Sequence, residues 1–393
     1  MKSIYTILAF IAISLMAFSC ADTKKTLEFD SKDKYSTNRS KQVQTSNTLQ
    51  NDIDLSRSNA ITNVVDKASG AIVGINVTEV YRVRGRQSIF DMFYGRNPYR
   101  EYQMKGLGSG FLISEDGYIL TNHHVAGDAS EIVVTLMDGE TYEAQIVGTD
   151  FVTDISLLKI NAGYDLPYLD FHAKDDLMVG EWTIAFGNPF GLFDINSKPT
   201  VTVGVVSNYG VNFTHEDQEG VRVYRDMVQT DAAISSGNSG GPLLNAEGKV
   251  IGMNTTIYST SQSQKGAGSI GIGFAIPSNR ILETVDYIKN GSSINRNFAI
   301  GMEVSELSSN LKEYLRTNRK QRGVVVQKVF RNSPAADAGL KPGDIITSID
   351  GLKINKADDF GIVIYDGKVG DALPVTYLRQ GRTEETQLRL VER

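Results

Sequence analysis

The 393-residue sequence predicts a mainly β protein, a barrel- or sandwich-building body followed by a compact α+β module, and three observations carry that prediction. From Asn59 onward, short β-branched runs follow one another: "AIVGINVTEV", "GSGFLISEDGYILTNHHV", "EIVVTLMDGETYEAQIV", "ISLLKI", "EWTIAFG" and "VTVGVVSN". Turn pairs such as Asp116-Gly117 and Asp138-Gly139 punctuate them. Only two helical patterns interrupt this stretch: "NAITNVVDKAS", and "PSNRILETVDYIKNG" over residues 277–291, which opens on Pro277-Ser278 and ends at Gly291. From about residue 297 the texture changes again. Strands ("RGVVVQKV", "DIITSID", "ALPVTYLRQ", "TQLRLVE") alternate there with helical patches around 306–318 and 357–366. A chain of this length exceeds what one core usually organises, so at least two domains are expected. No fixed period repeats, which sets solenoids aside.

The N-terminus reads as a targeting segment. Lys2 precedes an apolar run from Ile4 to Phe18, shorter than the roughly 20 residues needed to cross a bilayer and typical of a signal-peptide core. Residues 1–19 are therefore expected to direct export. Cys20 is the single cysteine, so the folded domains hold together without intrachain disulfides. Ala17 and Ser19 before Cys20 resemble a bacterial lipobox, which implies lipidation of Cys20, although Phe18 departs from the strict pattern. An uncleaved anchor or a plain secretory signal is the alternative. Either way the expected location is the bacterial cell envelope, in the periplasm, with membrane anchoring if Cys20 carries lipid. Residues 20–58 mix both charge signs with Ser, Thr, Asn and Gln and hold few large apolar side chains, so they are expected to form a disordered tether.

The 40 basic and 46 acidic residues leave a net charge of -6, and no Arg/Lys stripe with interleaved aromatics appears, so nucleic acid is not an expected partner. The glycine-rich stretches "GLGSGF" (106–111) and "GNSGGP" do not read as nucleotide loops. Both lie in β-patterned sequence with no helix following to receive a phosphate.

Ser239 sits within "TDAAISSGNSGGPLLN", residues 230–245, flanked by glycines. A serine hydroxyl is a weak nucleophile unless a neighbouring base takes its proton, and the base needs a carboxylate to hold its tautomer. Four histidines are available. His172 and His215 lie in polar, loop-like segments and read as solvated surface residues. His123 and His124 end the strand "GYILTNHHV"; neighbours on an extended chain point opposite ways, so only one can face a cleft. Asp150 and Asp154 compete for the acid in "GTDFVTD". Gly237 and Gly240 supply backbone conformations closed to residues with a Cβ, which lets amide N–H groups converge on a developing oxyanion.

In the order His, Asp, Ser, the blocks "TNHHV", "DISLL" and "GNSGGP" resemble the trypsin-like serine proteases of the HtrA (Deg/Do) family. The resemblance implies a chymotrypsin-like double β-barrel over residues 59–293, with His124 as base, Asp154 as acid and Ser239 as nucleophile. It assigns the oxyanion hole to the N–H groups of Gly237 and Ser239. It lines the specificity pocket with Ala233, Ile270 and Ile272, uncharged residues suited to small or medium aliphatic side chains. No cofactor or metal is needed for that chemistry.

Residues 333–354, "SPAADAGLKPGDIITSIDGLKI", resemble a PDZ domain, which the reading extends over 294–393. Its peptide-binding loop would be Ala299, Ile300, Gly301 and Met302, with "KADDFGIVIYDG" as the other groove wall. The segment 81–106, rich in aromatic and basic residues, shows no strand pattern and reads as an insertion, regulatory in the resembled family. The expected function is ATP-independent degradation of unfolded or misfolded polypeptides, with hydrophobic C-terminal peptides as PDZ ligands and a homo-trimer or larger assembly. The alternatives are a site-specific stress-signalling protease gated by a PDZ ligand, and a chaperone or scaffold with an idle site.

Overall fold

The computed structural model describes residues 57–84, 99–173, 176–188, 198–216, 219–235, 237–255, 271–291 and 294–393. The signal segment, Cys20, nearly all of the tether and Ile270 lie outside them. Ser58–Arg393 forms one compact unit. It opens with α1 (Ala60–Ala68), started by an Asn59 capping box in which the Asn59 side chain accepts from Thr62 N and Thr62 Oγ1 accepts from Asn59 N. α1 turns Val64 and Ala68 into the body.

The first sheet comprises β1 (Ile72–Arg84), β2 (Tyr99–Leu112), β3 (Tyr118–Thr121), β4 (Glu131–Thr135), β5 (Thr141–Glu143), β6 (Gln145–Asp150) and β7 (Ile155–Lys159) in the order β5-β4-β1-β2-β3-β7-β6. Between β3 and β4 the chain makes one short helix, α2 (His123–Ala126). The next six strands close into a barrel: β8 (Trp182–Gly187), β9 (Thr200–Glu216), β10 (Val221–Thr230), β11 (Pro242–Leu244), β12 (Val250–Thr255) and β13 (Gly273–Pro277), ordered β10-β13-β12-β11-β8-β9. α3 (Ser278–Lys289) follows and buries Ile281, Val285 and Ile288. One hydrophobic cluster runs through both halves, joining Ile72, Phe111 and Leu158 of the sheet to Phe186, Leu244 and Ile276 of the barrel. A smaller cluster, including Val206, Leu243 and Ala275, fills the rest of the barrel. The site therefore forms where two packed β halves meet.

One expectation needs correction. The segment 81–106 was expected to lack strands, yet β1 and β2 pair from Ile72↔Phe111 out to Arg84↔Tyr99. Ladder hydrogen bonds need only backbone N–H and C=O groups, so pairing continues where the apolar alternation of the sequence stops. Residues 85–98, at the far end of this hairpin, lie outside the described residues.

The C-terminal module has its own core around Val324, Ile346, Phe360 and Leu388. Its elements are β14 (Phe298–Ala299), β15 (Met302–Glu306), α4 (Ser309–Tyr314), β16 (Val324–Val329), α5 (Pro334–Asp337), β17 (Ile345–Ile349), β18 (Leu352–Lys353), α6 (Ala357–Asp366), β19 (Ala372–Arg379), β20 (Arg382–Arg389) and β21 (Val391–Glu392). The sheet runs β15-β16-β17-β19-β20, so β15 is an edge strand, while β14 pairs with β21. Among the described residues no helix is long and apolar enough to cross a membrane.

Candidate active site

The end of β3 delivers the histidines. Asn122 is still extended, but from His123 the chain turns helical, so the two histidines are not neighbours on an extended strand as the sequence suggested. They still diverge, because successive residues of a helical turn point about 100° apart. His123 is buried, its ring edge-on to Phe151 at 5.3 Å. Burial pushes its pKa down. His124 stays partly exposed, and its Nδ1 lies 2.9 Å from both carboxylate oxygens of Asp154.

Asp154 is fully buried and sits at φ 61, a left-handed conformation that Asp tolerates better than most residues. The kink turns the chain from the loop after β6 into β7 and aims the carboxylate back at α2. Four donors meet it. His124 N donates to Oδ1 at 3.0 Å alongside Nδ1, while the Tyr224 hydroxyl and Thr255 Oγ1 each donate to Oδ2 at 3.2 Å. Burial alone pushes the Asp154 pKa up, but the charge and hydrogen bonds of His124 outweigh it and hold the carboxyl below its ordinary value. The reverse holds for Tyr224, where burial and the Asp154 charge push the phenol up, keeping it a donor. An ionised acid accepting from Nδ1–H leaves Nε2 as the basic nitrogen.

Asp150 is engaged elsewhere. Its carboxylate accepts from Thr153 Oγ1 at 2.7 Å and pairs with Arg296 Nη2 at 2.6 Å. His172 pairs with Asp176 at 2.7 Å, and His215 lies exposed on β9 opposite Arg222.

Ser239 is buried in a tight turn between Gly237 at φ 100 and Gly240 at φ 84. The barrel holds one side: Gly240 N donates to Asn254 O at 3.0 Å and Asn254 N donates to Gly241 O at 2.8 Å. The first sheet holds the other, since Ser109 N donates to Ser239 O at 3.0 Å. A Cβ on Gly240 would run into Ser109 O and Thr121 Oγ1, so only glycine lets the turn settle against the end of β3. That seat places the serine turn beside the strand that leads into Asn122 and His124. Ala233 and Ile272 are both solvent-exposed. The Ala233 carbonyl accepts from Asn238 Nδ2 at 3.2 Å and Thr202 Oγ1 at 2.9 Å, which ties it to the serine turn.

The four residues of the proposed peptide loop make a separate structure. Ala299 pairs with Val391. Ile300 O accepts from Ala335 N at 3.0 Å. Gly301, at φ 72, has its carbonyl bound by Phe330 N at 2.9 Å. Met302 begins the edge strand β15. Glu306, at the other end of β15, accepts from Ala357 N at 2.6 Å, which ties the end of the strand to the start of α6. Sequence reasoning missed Tyr224, Thr255 and Ser109. They sit 70, 101 and 130 residues from the groups they bind, and no local pattern marks them.

A family model described as a trypsin-like peptidase domain matches residues 108–253, and one described as a PDZ domain matches residues 299–390. A probable periplasmic serine endoprotease DegP-like of Chlamydia trachomatis serovar D is 40% identical over 308 residues, which make up 77% of this chain and 58% of that protein. A protein of the same description from Marinomonas sp. (strain MWYL1) is 36% identical over 352 residues, 84% of this chain and 71% of its own length. The chain thus spans less than two thirds of the chlamydial relative. The solved structure of the HtrA-type protease AlgW with decapeptide superposes with a TM-score of 0.62 at 32% identity, covering 86% of this chain and 99% of that one. With sequence identity sustained across both modules and one fold shared along a solved relative's whole length, the chain belongs to the HtrA family of trypsin-like serine proteases.

Proposed function

We propose that this protein is an ATP-independent serine endopeptidase in which Ser239 is the nucleophile, His124 the base and Asp154 the orienting acid. The observation that carries the reading is the buried Asp154 carboxylate on His124 Nδ1, beside a serine turn that two left-handed glycines shape. Ser239 Oγ attacks the scissile carbonyl carbon while His124 Nε2 takes its proton. The carbonyl oxygen becomes an oxyanion, held by the N–H groups of Gly237 and Ser239. Protonated Nε2 then gives its proton to the leaving amine, and Asp154, ionised throughout, stabilises the imidazolium. Water, activated by the same nitrogen, hydrolyses the acyl-enzyme and frees Ser239.

Residues 59–293 form the protease and 294–393 the PDZ domain in this reading. The uncharged Ala233 and Ile272, with Ile270 assigned from sequence, favour cleavage after small or medium aliphatic residues. The free edge of β15 beside α6 supports capture of a hydrophobic C-terminus by strand addition at residues 299–302. Unfolded envelope proteins are the proposed substrates, since the relatives' names place those proteins in the periplasm. Signal segment 1–19, a lipid on Cys20 and a tether to residue 58 would hold the enzyme at the membrane. The exposed apolar patch of Met178, Val179 and Trp182 supports self-association of the protease domain, as a homo-trimer. A second reading, a signalling protease gated by a PDZ ligand, is favoured by one feature, the ion cluster joining α6 to the protease through Arg225, Arg280 and Asp366.

The test is degradation of unfolded casein by residues 59–393. Ser239→Ala should lower kcat by about a millionfold while retaining substrate binding; wild-type-like cleavage would refute the assignment. His124→Ala should inactivate to a similar degree. His123→Ala should keep most of the turnover and lose thermal stability, and the opposite pattern would reverse the roles of the two histidines. Cleavage only in the presence of a hydrophobic C-terminal peptide would favour the gated reading.

A further inference from the structure

The stretch "GLGSGF" matches no nucleotide loop, and the proposed chemistry leaves it without a role. Its serine nevertheless touches the nucleophile turn at two points. Ser109 lies in β2, is fully buried, and sits between glycines that admit no Cβ: one on Gly108 would strike Val125, and one on Gly110 would strike Ile75 and Leu120. Its backbone N–H donates to the carbonyl of Ser239 at 3.0 Å. Its hydroxyl donates to the carbonyl of Gly237 in a short hydrogen bond. The same oxygen accepts from Asn188 N at 2.6 Å, and its own carbonyl accepts from Thr121 Oγ1 at 2.8 Å.

We infer that Ser109 is a positioning residue for the oxyanion hole, and that its side chain acts on turnover rather than on substrate binding. Both residues whose N–H groups are to hold the oxyanion have their carbonyls anchored by this one residue. Fixing a carbonyl fixes the peptide plane that it shares with the next residue's N–H, here the planes Gly237–Asn238 and Ser239–Gly240. The Ser239 N–H lies in the plane between these two anchored planes, and the Gly237 N–H is one Cα, at φ 100, from the first, so both donors are held through short links to fixed planes. The hydroxyl accepts from Asn188 N and donates to Gly237 O, which uses its proton and one of its two lone pairs. Without the hydroxyl, the Gly237–Asn238 plane can tilt, and the N–H groups of Gly237 and Ser239 on either side of it leave the line of the developing charge. Oxyanion donors act only when preorganised, and a misplacement of about 1 Å costs on the order of a hundredfold in rate.

The inference depends on Ser239 being the nucleophile, and the experiment separates the two. Wild type, Ser239→Ala, Ser109→Ala and Ser109→Cys, each as the full folded chain, are assayed on a peptide amide substrate. Active sites are counted by fluorophosphonate labelling run to completion, and inhibition by a peptide aldehyde, whose hemiacetal oxygen sits in the oxyanion hole, is measured in parallel. Ser109→Ala should lose about 10- to 100-fold in kcat per titrated site with KM within about twofold, and the aldehyde Ki should rise by the same factor as kcat/KM falls. Ser109→Cys, nearly isosteric but a weak donor, should fall between wild type and Ser109→Ala, and it carries the test if Ser109→Ala does not fold. Wild-type kcat per site in either variant, or a rise in KM alone, would overturn the role of Ser109 and leave the triad standing. Full activity of Ser239→Ala would instead remove the nucleophile assignment.

Discussion

At the scale of single residues, the site depends on what surrounds one carboxylate. Asp154 has no access to solvent, and an ionised group there is tolerable only because Nδ1 and N of His124, Tyr224 and Thr255 all donate to it. Tyr224→Phe removes one of these donors with almost no change of shape. Its expected outcome is a drop in kcat of about ten- to a hundredfold with little change in KM, because one hydrogen bond to a charged group contributes about 1.5–3 kcal/mol. Steady-state kinetics on a peptide amide would check it, and unchanged kcat would make the hydroxyl structurally incidental. Sequence order and residue type narrowed the base to two histidines and the acid to two aspartates. The family resemblance picked His124 and Asp154 from these pairs; residue type alone left them open, because Asp150 and Asp154 differ mainly in what lies across the fold from them. Arg296, 146 residues away, takes the first, and His124 takes the second.

Among the elements, turns were more legible than contacts. The helical patterns at 59–69, 277–291 and 357–366 became α1, α3 and α6 with small shifts at their ends, since capping residues and apolar periodicity are local signals. The glycines of the serine turn were legible too, and their positive φ angles carry the reason for them. Gly240→Ala is expected to combine a strained φ of 84 with a Cβ driven into the Ser109 carbonyl. Activity should fall by more than about a hundredfold, with a lower Tm, because backbone cannot swing aside as a side chain can. Near-wild-type activity would mean that the turn rearranges freely. The long β1–β2 hairpin and the helical turn at His123 were not legible. The first is a backbone ladder without apolar alternation, and the second is one turn too short to show a period.

At the scale of the whole molecule, an ion cluster joins protease and PDZ domains. Asp366, at the C-terminal end of α6, accepts a two-pronged contact from Arg280 at 2.7 and 2.9 Å and lies within 3.8 Å of Arg225 and Arg296. Arg296 also holds Asp150, four residues before Asp154. Burial pushes the Asp366 pKa up, but the three guanidinium groups outweigh it and hold the carboxyl below its ordinary value. A depressed carboxylate contributes stability that is complete above its unfolded-state pKa, about 3.9, and is lost as pH falls through the lower folded value. The wild-type protein should therefore lose interdomain stability below about pH 4, and Asp366→Asn should lose less on acidification because part is already gone at neutral pH. At pH 7 the substitution leaves buried arginines short of a partner, for a cost of about 3–5 kcal/mol in docking. Thermal unfolding across pH 3–8, resolved by domain, would reveal this as early release of the PDZ module; identical curves for both proteins would contradict it.

The sequence by itself determined the strand-rich body, the α+β module behind it, the helices with clear apolar periodicity, and the short set of side chains from which the proposed acyl-transfer site is drawn. Those features follow from period, turn chemistry and residue type, all of which act within a few positions of one another. Only the tertiary structure showed the contact of the His124 ring with Asp154, which hydroxyls support the carboxylate and the serine turn, and how α6 is tied to the protease. Each of those is a contact between residues far apart in the chain. It exists only once two β halves have packed and closed, and no short stretch of sequence contains the geometry of that packing.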